Sequence, residues 1–249
     1  MKTEWDYTEL ADAYLKRADY SDAAIDAMLS IAGVKEGENV CDVGAGVAHL
    51  TLMLAARNFN VTAVEPNDAM RANGAKRTKH LKNVQWFEGT GEQTGQGDDQ
   101  FEIVTFGSSF NVCDRPAALE ETARILRPQG LFACMWNHRK LDDPLQSRIE
   151  ATIKKHLPDY RYGSRREDQT KVIDASSLFG PVLRLNSTTV HQQPIEDCVE
   201  AWRSHATLQR QAGSSFHAIV NEIESKLNEL GSDCIDVPYD TQLWIARLK

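Results

Sequence analysis

The chain has 249 residues, 41% of them apolar, 8% aromatic and 26% charged, which supplies enough apolar surface for one or two packed cores. That balance excludes a disordered tail, a collagen-like repeat and a disulfide-dense miniature fold. With 28 Lys and Arg against 36 Asp and Glu, the net charge of -8 leaves no broad positive field to draw in a nucleic acid.

The first 22 residues are acidic and aromatic, unlike a signal or transit peptide. A helical opening segment leads to a turn-rich break over 33–38, then to a short apolar strand over 39–43 that stops at Gly44-Ala45-Gly46. An amphipathic helix over 48–57, a strand over 61–64, a helix over 68–79 and a strand over 84–87 follow. The rhythm continues with a strand over 103–106, a helix over 117–126, a turn over 127–130 and a strand over 131–136. Strands alternating with helices imply a parallel sheet covered on both faces.

Beyond Asn137 the rhythm changes. The pattern predicts a helix over 144–156, a polar stretch over 159–171, a strand over 182–190, helices over 195–209 and 216–230, and a last strand over 239–248. That last strand has no partner of comparable length near it in sequence, so it is expected to pair back into the main sheet. The helices between 140 and 231 would then lie over the carboxyl ends of the strands, as a lid on the place where open α/β sheets bind ligands. No run reaches 18 uninterrupted apolar residues, so no membrane partner is expected. The five cysteines, at 41, 113, 134, 198 and 234, show no CxxC pair and no histidine at zinc spacing. A reducing, cytoplasmic setting and no metal are the expectations, with Cys41 and Cys134 packed in buried strands.

The segment Val40-Cys41-Asp42-Val43-Gly44-Ala45-Gly46-Val47-Ala48-His49 is the most informative. Glycines at 44 and 46 allow a tight strand-to-helix turn and a close ligand approach beside the partial positive charge of a helix N-terminus. A dinucleotide site uses the same device, but His49 stands where the third glycine of GxGxxG belongs. Glu65, 21 residues after Gly44, can accept from both hydroxyls of a ribose, which suits NAD equally well. Asp42 and the run Glu88-Gly89-Thr90-Gly91-Glu92 add negative charge, and such a lining favours a ligand with a sulfonium and an ammonium group over one with a pyrophosphate.

At these residues the chain resembles the class I S-adenosylmethionine-dependent methyltransferases, in particular the branch containing ubiquinone/menaquinone and trans-aconitate methyltransferases. VCDVGAGVA is similar to the family's first motif, with Ala48 in place of its third glycine. AVEPNDAM resembles the second, and FEGTGEQTG the third. FEIVTFGSSFNVCD and ARILRPQGLFACMW resemble the fourth-strand and LxPGG motifs, with Gln129 in place of that turn's first glycine. The resemblance covers residues 38–136 and implies a doubly wound, Rossmann-like, mostly parallel α/β sheet with an antiparallel C-terminal strand and a helical lid insertion. Residues 1–138 would form a cap helix and the donor-binding core, and 139–249 the lid and acceptor-binding region, with the last strands returning to the core.

By the same resemblance S-adenosyl-L-methionine is the expected cofactor. Asp42, Gly44, Ala45, Gly46, Glu65, Pro66, Asn67, Met70, Thr90, Gly91, Glu92 and Phe106 would surround it. Tyr14, Arg17 and Tyr20, in a segment WDYTELADAYLKRADYS similar to the branch's cap helix, would reach its methionyl carboxylate.

Methyl transfer needs alignment more than a metal, and a hydroxyl acceptor also needs a base within hydrogen-bonding distance. His138, just beyond the fifth strand, and His205 are the candidates for that base, while Asn111 is placed to orient the acceptor. His49 reads as structural. Tyr160, Tyr162 and Arg165 in an expected lid loop, with Arg203, are candidate substrate contacts, because arginine forks match carboxylates and phosphates. The expected reaction is O-methylation of a sugar, organic acid or secondary metabolite. C- or N-methylation of a quinone-like or other small metabolite stays open, as do two readings of other classes, an NAD-dependent oxidoreductase and a non-catalytic nucleotide-binding protein.

Overall fold

The computed structural model describes residues 6–249; residues 1–5, including the Trp5 that opens the cap segment, lie outside the described residues. A single helical turn, α1 (Ala11–Tyr14), precedes α2 (Asp22–Ala32), which Ser21 caps by accepting from Ala24 N–H and which Gly33 ends in the left-handed region at φ +70°. The alternating core follows as β1 (Asn39–Val43), α3 (His49–Ala55), β2 (Asn60–Val64), α4 (Asp68–Thr78), β3 (Val84–Phe87), β4 (Phe101–Gly107), α5 (Arg115–Ile125) and β5 (Leu126–Arg139). The remainder comprises α6 (Pro144–His156), α7 (Thr170–Ser176), β6 (Leu183–Pro194), α8 (Ile195–Arg203), α9 (Ala206–Ala212), α10 (Phe216–Asn228) and β7 (Cys234–Arg247).

The strands form one seven-stranded sheet in the order β3-β2-β1-β4-β5-β7-β6. All its pairings are parallel except those of β7, which is antiparallel to both β5 and β6. The chain therefore has the expected mostly parallel α/β sheet with an antiparallel C-terminal strand. The order reverses between β1 and β4, and a crevice opens at their carboxyl ends.

Residues alternate between the two faces. Leu131, Ala133 and Met135 of β5 and Leu243 and Ile245 of β7 pack with Ile25, Met28 and Leu54, whereas Phe132, Cys134, Trp136 and Trp244 join Phe106, Phe110, Ile173 and Phe179. A third core joins α6, α8, α9 and α10 through Ile149, Ile153, Val199, Trp202, Leu208, Ile219 and Ile223, and reaches Val237 and Tyr239 of β7. The cap and the lid are tied together by Lys16–Asp197 at 2.9 Å and by Arg17, whose Nη2 donates to the Ser204 carbonyl at 2.7 Å.

Several expected elements are altered. The turn over 127–130 is a bulge inside β5: its partner β4 advances from Phe101 to Ile103 while β5 advances from Leu126 to Leu131. The helix expected over 195–209 breaks into α8 and α9 at Ser204 and His205. The last strand pairs back into the main sheet against β5, as expected, and is itself flanked by β6 from Leu183↔Ile245 to Pro194↔Cys234. Polar residues alternating along this exposed edge shortened the strand expected there. Finally α7 belongs to the sheet rather than the lid, since Ile173 packs in the same core as Leu119 and Phe179. Cys41 and Cys134 are fully buried in their strands, as expected, and burial pushes both thiols well above their ordinary range. No described helix is long and apolar enough to cross a membrane.

Candidate active site

The turn after β1 is held from below by the neighbouring strand. Gly44 and Ala45 donate N–H bonds of 2.8 and 3.0 Å to the Val64 carbonyl, and Gly44 takes φ +67°. A Cβ on Gly44 would lie 2.4 Å from the Ser109 Cβ, and Ser109 is itself fixed by donating to the Val43 carbonyl at 2.6 Å. Only glycine fits there, for reasons of both conformation and space.

Glu65, immediately beyond β2, closes the turn. Its Oε2 accepts from Gly46 N–H and its Oε1 from Asn67 N–H, both at 2.8 Å. Each carboxylate oxygen keeps a second lone pair for a ligand hydroxyl. Burial raises the Glu65 pKa to about 7, against the opposing effect of those two N–H groups and of Arg71. Asp42 lies deeper and accepts from Thr51 Oγ1 at 2.6 Å and Thr105 Oγ1 at 3.3 Å; burial raises it to about 6 despite these bonds.

These groups line a cavity of ≈ 460 Å³ at the carboxyl ends of β1, β2, β4 and β5, between cap and lid. Of the expected cofactor residues, Tyr14, Arg17, Tyr20, Asp42, Gly44, Ala45, Gly46, Glu65, Pro66, Asn67, Met70, Thr90, Gly91 and Glu92 are on its wall. Arg17 lies over the Tyr14 ring at 3.8 Å, and the Tyr20 hydroxyl is 2.9 Å from Ser108 Oγ. Phe106 is a correction. It faces the other side of β4, fully buried against Phe110 and Phe132, and stands behind Gly91.

The acceptor side differs more from expectation. His138 lies within β5, between the wall residues Asn137 and Arg139, and is itself off the cavity; burial, with Arg165 and Arg166 nearby, pushes its pKa to about 2. Asn111 is also off the wall, its Oδ1 accepting from Trp136 Nε1 at 2.9 Å. Tyr160 is buried in the lid core, edge-on to Tyr162. Tyr162 lines a small recess beside the main cavity, its hydroxyl donating to Glu150. Arg203 points to ion pairs with Glu200 and Glu224 and does not line the cavity.

Two expected residues do meet there. Arg165 and His205 are both on the wall, with Arg165 Nη1 3.2 Å from His205 Nε2. His205 caps α9, its Nδ1 accepting from Leu208 N–H at 3.2 Å, and its ring stacks on Trp202 at 5.3 Å. Burial and the surrounding arginines push its pKa well below the ordinary histidine value. With Nδ1 accepting, the proton of the neutral ring is on Nε2, so His205 offers the cavity a donor rather than a basic lone pair. His49 also lines the cavity, but its Nε2 faces the Tyr14 carbonyl at 2.9 Å and its Nδ1 faces Asp19 at 2.6 Å.

Wall residues missed in sequence include Tyr7, Ser108, Cys113, Arg139 and Tyr239. Arg139 had a signal: if β5 is continued past Trp136, residues 137 and 139 share one face and 138 takes the other. The cavity wall carries the acidic residues Asp42, Glu65, Glu92 and Asp114, with Arg139 and Arg165 beside the lid residue His205 and Arg17 in the cap beside Tyr14.

A family profile described as a methyltransferase domain matches residues 41–134. The demethylmenaquinone methyltransferase of Staphylococcus haemolyticus is 32% identical over 106 residues, covering 41% of this chain and 44% of that protein. The chain thus spans less than half the length of the curated relatives it matches first. A structure from Anaeromyxobacter dehalogenans, provisionally named a type II methyltransferase, superposes with a TM-score of 0.62 at 17% identity, covering 93% of this chain and 97% of that one. The Haemonchus contortus phosphoethanolamine N-methyltransferase 2, solved with phosphomonomethylethanolamine and S-adenosylhomocysteine, gives 0.54 at 14% identity over 98% of this chain and 60% of its own. At these identities the structures speak to the fold. Over residues 41–134, which hold the glycine turn and its carboxylates, the chain is similar to methyltransferase domains.

Proposed function

We propose that the chain transfers a methyl group from S-adenosyl-L-methionine to a small-molecule acceptor, with an oxygen of a sugar, organic acid or secondary metabolite as the accepting atom. The observation that carries this reading is the Glu65 carboxylate, locked onto Gly46 and Asn67 N–H with lone pairs to spare, on a wall that also carries Asp42, Glu92 and Asp114. A ribose diol fits that carboxylate, and a cationic donor fits that wall better than a pyrophosphate does.

When bound, the donor would supply a methyl carbon for displacement from its cationic sulfur, the bonding pair staying on sulfur as an acceptor lone pair forms the new bond; a carboxylate oxygen has no proton to lose, and a hydroxyl would release its proton to solvent. This chain's residues bind and align. Glu65 and the backbone of 44–46 hold the nucleoside, with Met70 and Pro66 beside the base. Arg17 and Tyr14 take the donor's carboxylate end. The lid, in this reading part of an acceptor-binding region over 139–249, excludes water. Alignment of this kind is worth up to about 7–11 kcal/mol in well-oriented systems.

Calorimetry tests the reading. S-adenosylhomocysteine is expected to bind at least tenfold more tightly than NADH, and labelled S-adenosylmethionine is expected to label a compound in a panel of sugars, organic acids and phenols. Tighter binding of NADH would replace the reading with an oxidoreductase. Donor binding with no acceptor turnover across O-, N- and C-nucleophiles would leave a binding protein.

A further inference from the structure

The lid side of the cavity holds positive charge that the protein itself does not balance. Arg139 and Arg165 line it and Arg166 lines the adjoining recess, and among the described residues none of the three has a carboxylate within 4.0 Å. The Nε atoms of all three are buried and without hydrogen-bond partners among the described residues. Arg139 is stacked near Trp202 at 4.2 Å and Tyr239 at 5.6 Å, and Arg166 over Tyr162 at 4.2 Å, contacts that shield these cations from water without neutralising them. Glu150, in the adjoining recess, partly offsets the charge of Arg166 but is engaged by the Tyr162 hydroxyl and by Lys154 at 3.2 Å, which leaves Arg139 and Arg165 as the cations on the cavity wall. Burial, together with Arg17 and Arg166, lowers the Arg165 pKa to about 10, which marks how poorly this charge is compensated.

His205 sharpens the point. Leu208 N–H can only donate, so Nδ1 must accept and Nε2 must carry the proton. The group 3.2 Å from Nε2 is the Arg165 guanidinium, which also can only donate. Two donors therefore face each other across a cavity wall, in a place where a single acceptor atom would satisfy both. The alternative tautomer would satisfy Arg165 only by setting Nδ1–H against Leu208 N–H inside a helix cap.

We propose that the acceptor molecule carries an oxyanion that sits between Arg165 and His205, accepting from the guanidinium and from Nε2–H, with Arg139 completing the positive wall. His205 is then a substrate-binding donor, and the substrate class is a small carboxylate or phosphate ester. This deepens the acceptor side of the methyltransferase reading and rests on it. Arginine matches either group with paired bonds, so the shared chemistry is the oxyanion.

The test is calorimetry on the full chain, with and without saturating S-adenosylhomocysteine, using glutarate, glycerol 3-phosphate and the neutral glutaramide as probes. One or both anions are expected to bind and glutaramide is not; glutarate alone would assign a carboxylate, and glycerol 3-phosphate alone a phosphate ester. Arg165→Gln should weaken the anion at least tenfold while S-adenosylhomocysteine affinity stays within twofold. Arg165→Lys, which keeps the charge and loses the fork, should fall between. On the unmodified protein, nitrogen-15 spectra of the imidazoles should show His205 as the neutral Nε2–H tautomer down to pH 6. The proposal is overturned if neither anion binds in either state, if glutaramide binds as well as glutarate, if both Arg165 variants bind the anion like the parent, or if His205 is found as Nδ1–H or charged at pH 7. Failure of S-adenosylhomocysteine to bind, with the anions still bound, would instead remove the donor reading.

Discussion

At the glycine turn, buried carboxylates meet their donors before any ligand arrives: Glu65 accepts from two backbone N–H groups and Asp42 from two threonine hydroxyls. At the lid, buried guanidinium groups keep unsatisfied Nε atoms, and Arg165 faces the N–H of His205. The first half is preorganised, so its shape survives without a ligand. The second half is frustrated until something negative enters. Charge-assisted hydrogen bonds are worth about 1.5–3 kcal/mol each, and an unmatched buried donor costs a comparable amount. The same physics therefore makes one half a rigid cradle and the other half a selector for anions.

The contrast is most strongly challenged at Gly44. In Gly44→Ala the new Cβ meets the Ser109 Cβ at 2.4 Å on a backbone at φ +67°, so overpacking and left-handed strain act together. A loss of about 3 kcal/mol in stability is expected, read from chemical denaturation, with S-adenosylhomocysteine binding lost as well. A variant as stable as the parent would show that the cradle is not rigid. Glu65→Ala is the finer probe. It should weaken S-adenosylhomocysteine by about 1–3 kcal/mol in calorimetry while glutarate affinity stays unchanged, since the two halves are separate charge systems. Equal losses on both sides would mean that they are coupled.

The acidic half also carries a pH signature. Both Glu65, at about 7, and Asp42, at about 6, are raised by burial, and in the proposed donor reading it is the ionised Glu65 that accepts from both ribose hydroxyls. Affinity for S-adenosylhomocysteine is therefore full above pH 8 and falls as pH drops through 7, approaching a tenfold loss per unit, with a further loss near 6. A titration series from pH 8.5 to 5.5 checks this, and a flat profile would mean that the carboxylate stays ionised across that range.

What was legible in the sequence follows the same division. The cradle is written locally: Asp42, Gly44, Gly46 and Glu65 lie within two strand-to-helix turns, and the spacing of glycines and acids reports a chemistry that needs neighbouring backbone. The lid side is assembled from Arg139, Arg165, His205 and Tyr239, which come from four separate elements and which no spacing connects. Where sequence reasoning misplaced a residue, the pleat explains it. Phe106 precedes the wall residue Gly107, and His138 sits between the wall residues Asn137 and Arg139, so the two-residue period turns both away from the cavity. His205 was found, but its role depends on a helix cap that appears only where the predicted 195–209 helix breaks.

Two departures from the family's glycine pattern give the smallest effect and the cleanest test of how rigid the cradle is. Ala48 stands where the first motif has its third glycine and Gln129 where the LxPGG turn has its first, yet both keep the left-handed backbone, at φ +75° and +65°. The fold thus retains the conformation and accepts the Cβ cost, which for a single non-glycine residue is about 1–2 kcal/mol before the greater freedom of glycine in the unfolded chain is subtracted. Ala48→Gly is expected to stabilise the protein by about 1 kcal/mol, raising the midpoint of denaturation without changing its slope. Gln129→Gly, at a bulge whose partner Gly130 already lies against the Arg127 carbonyl, should do the same, and the two should add because they share no contact. If Ala48→Gly instead destabilises, the methyl group buried at the start of α3 contributes more through packing than it costs in strain, and the turn is held by its filled interior rather than by its backbone.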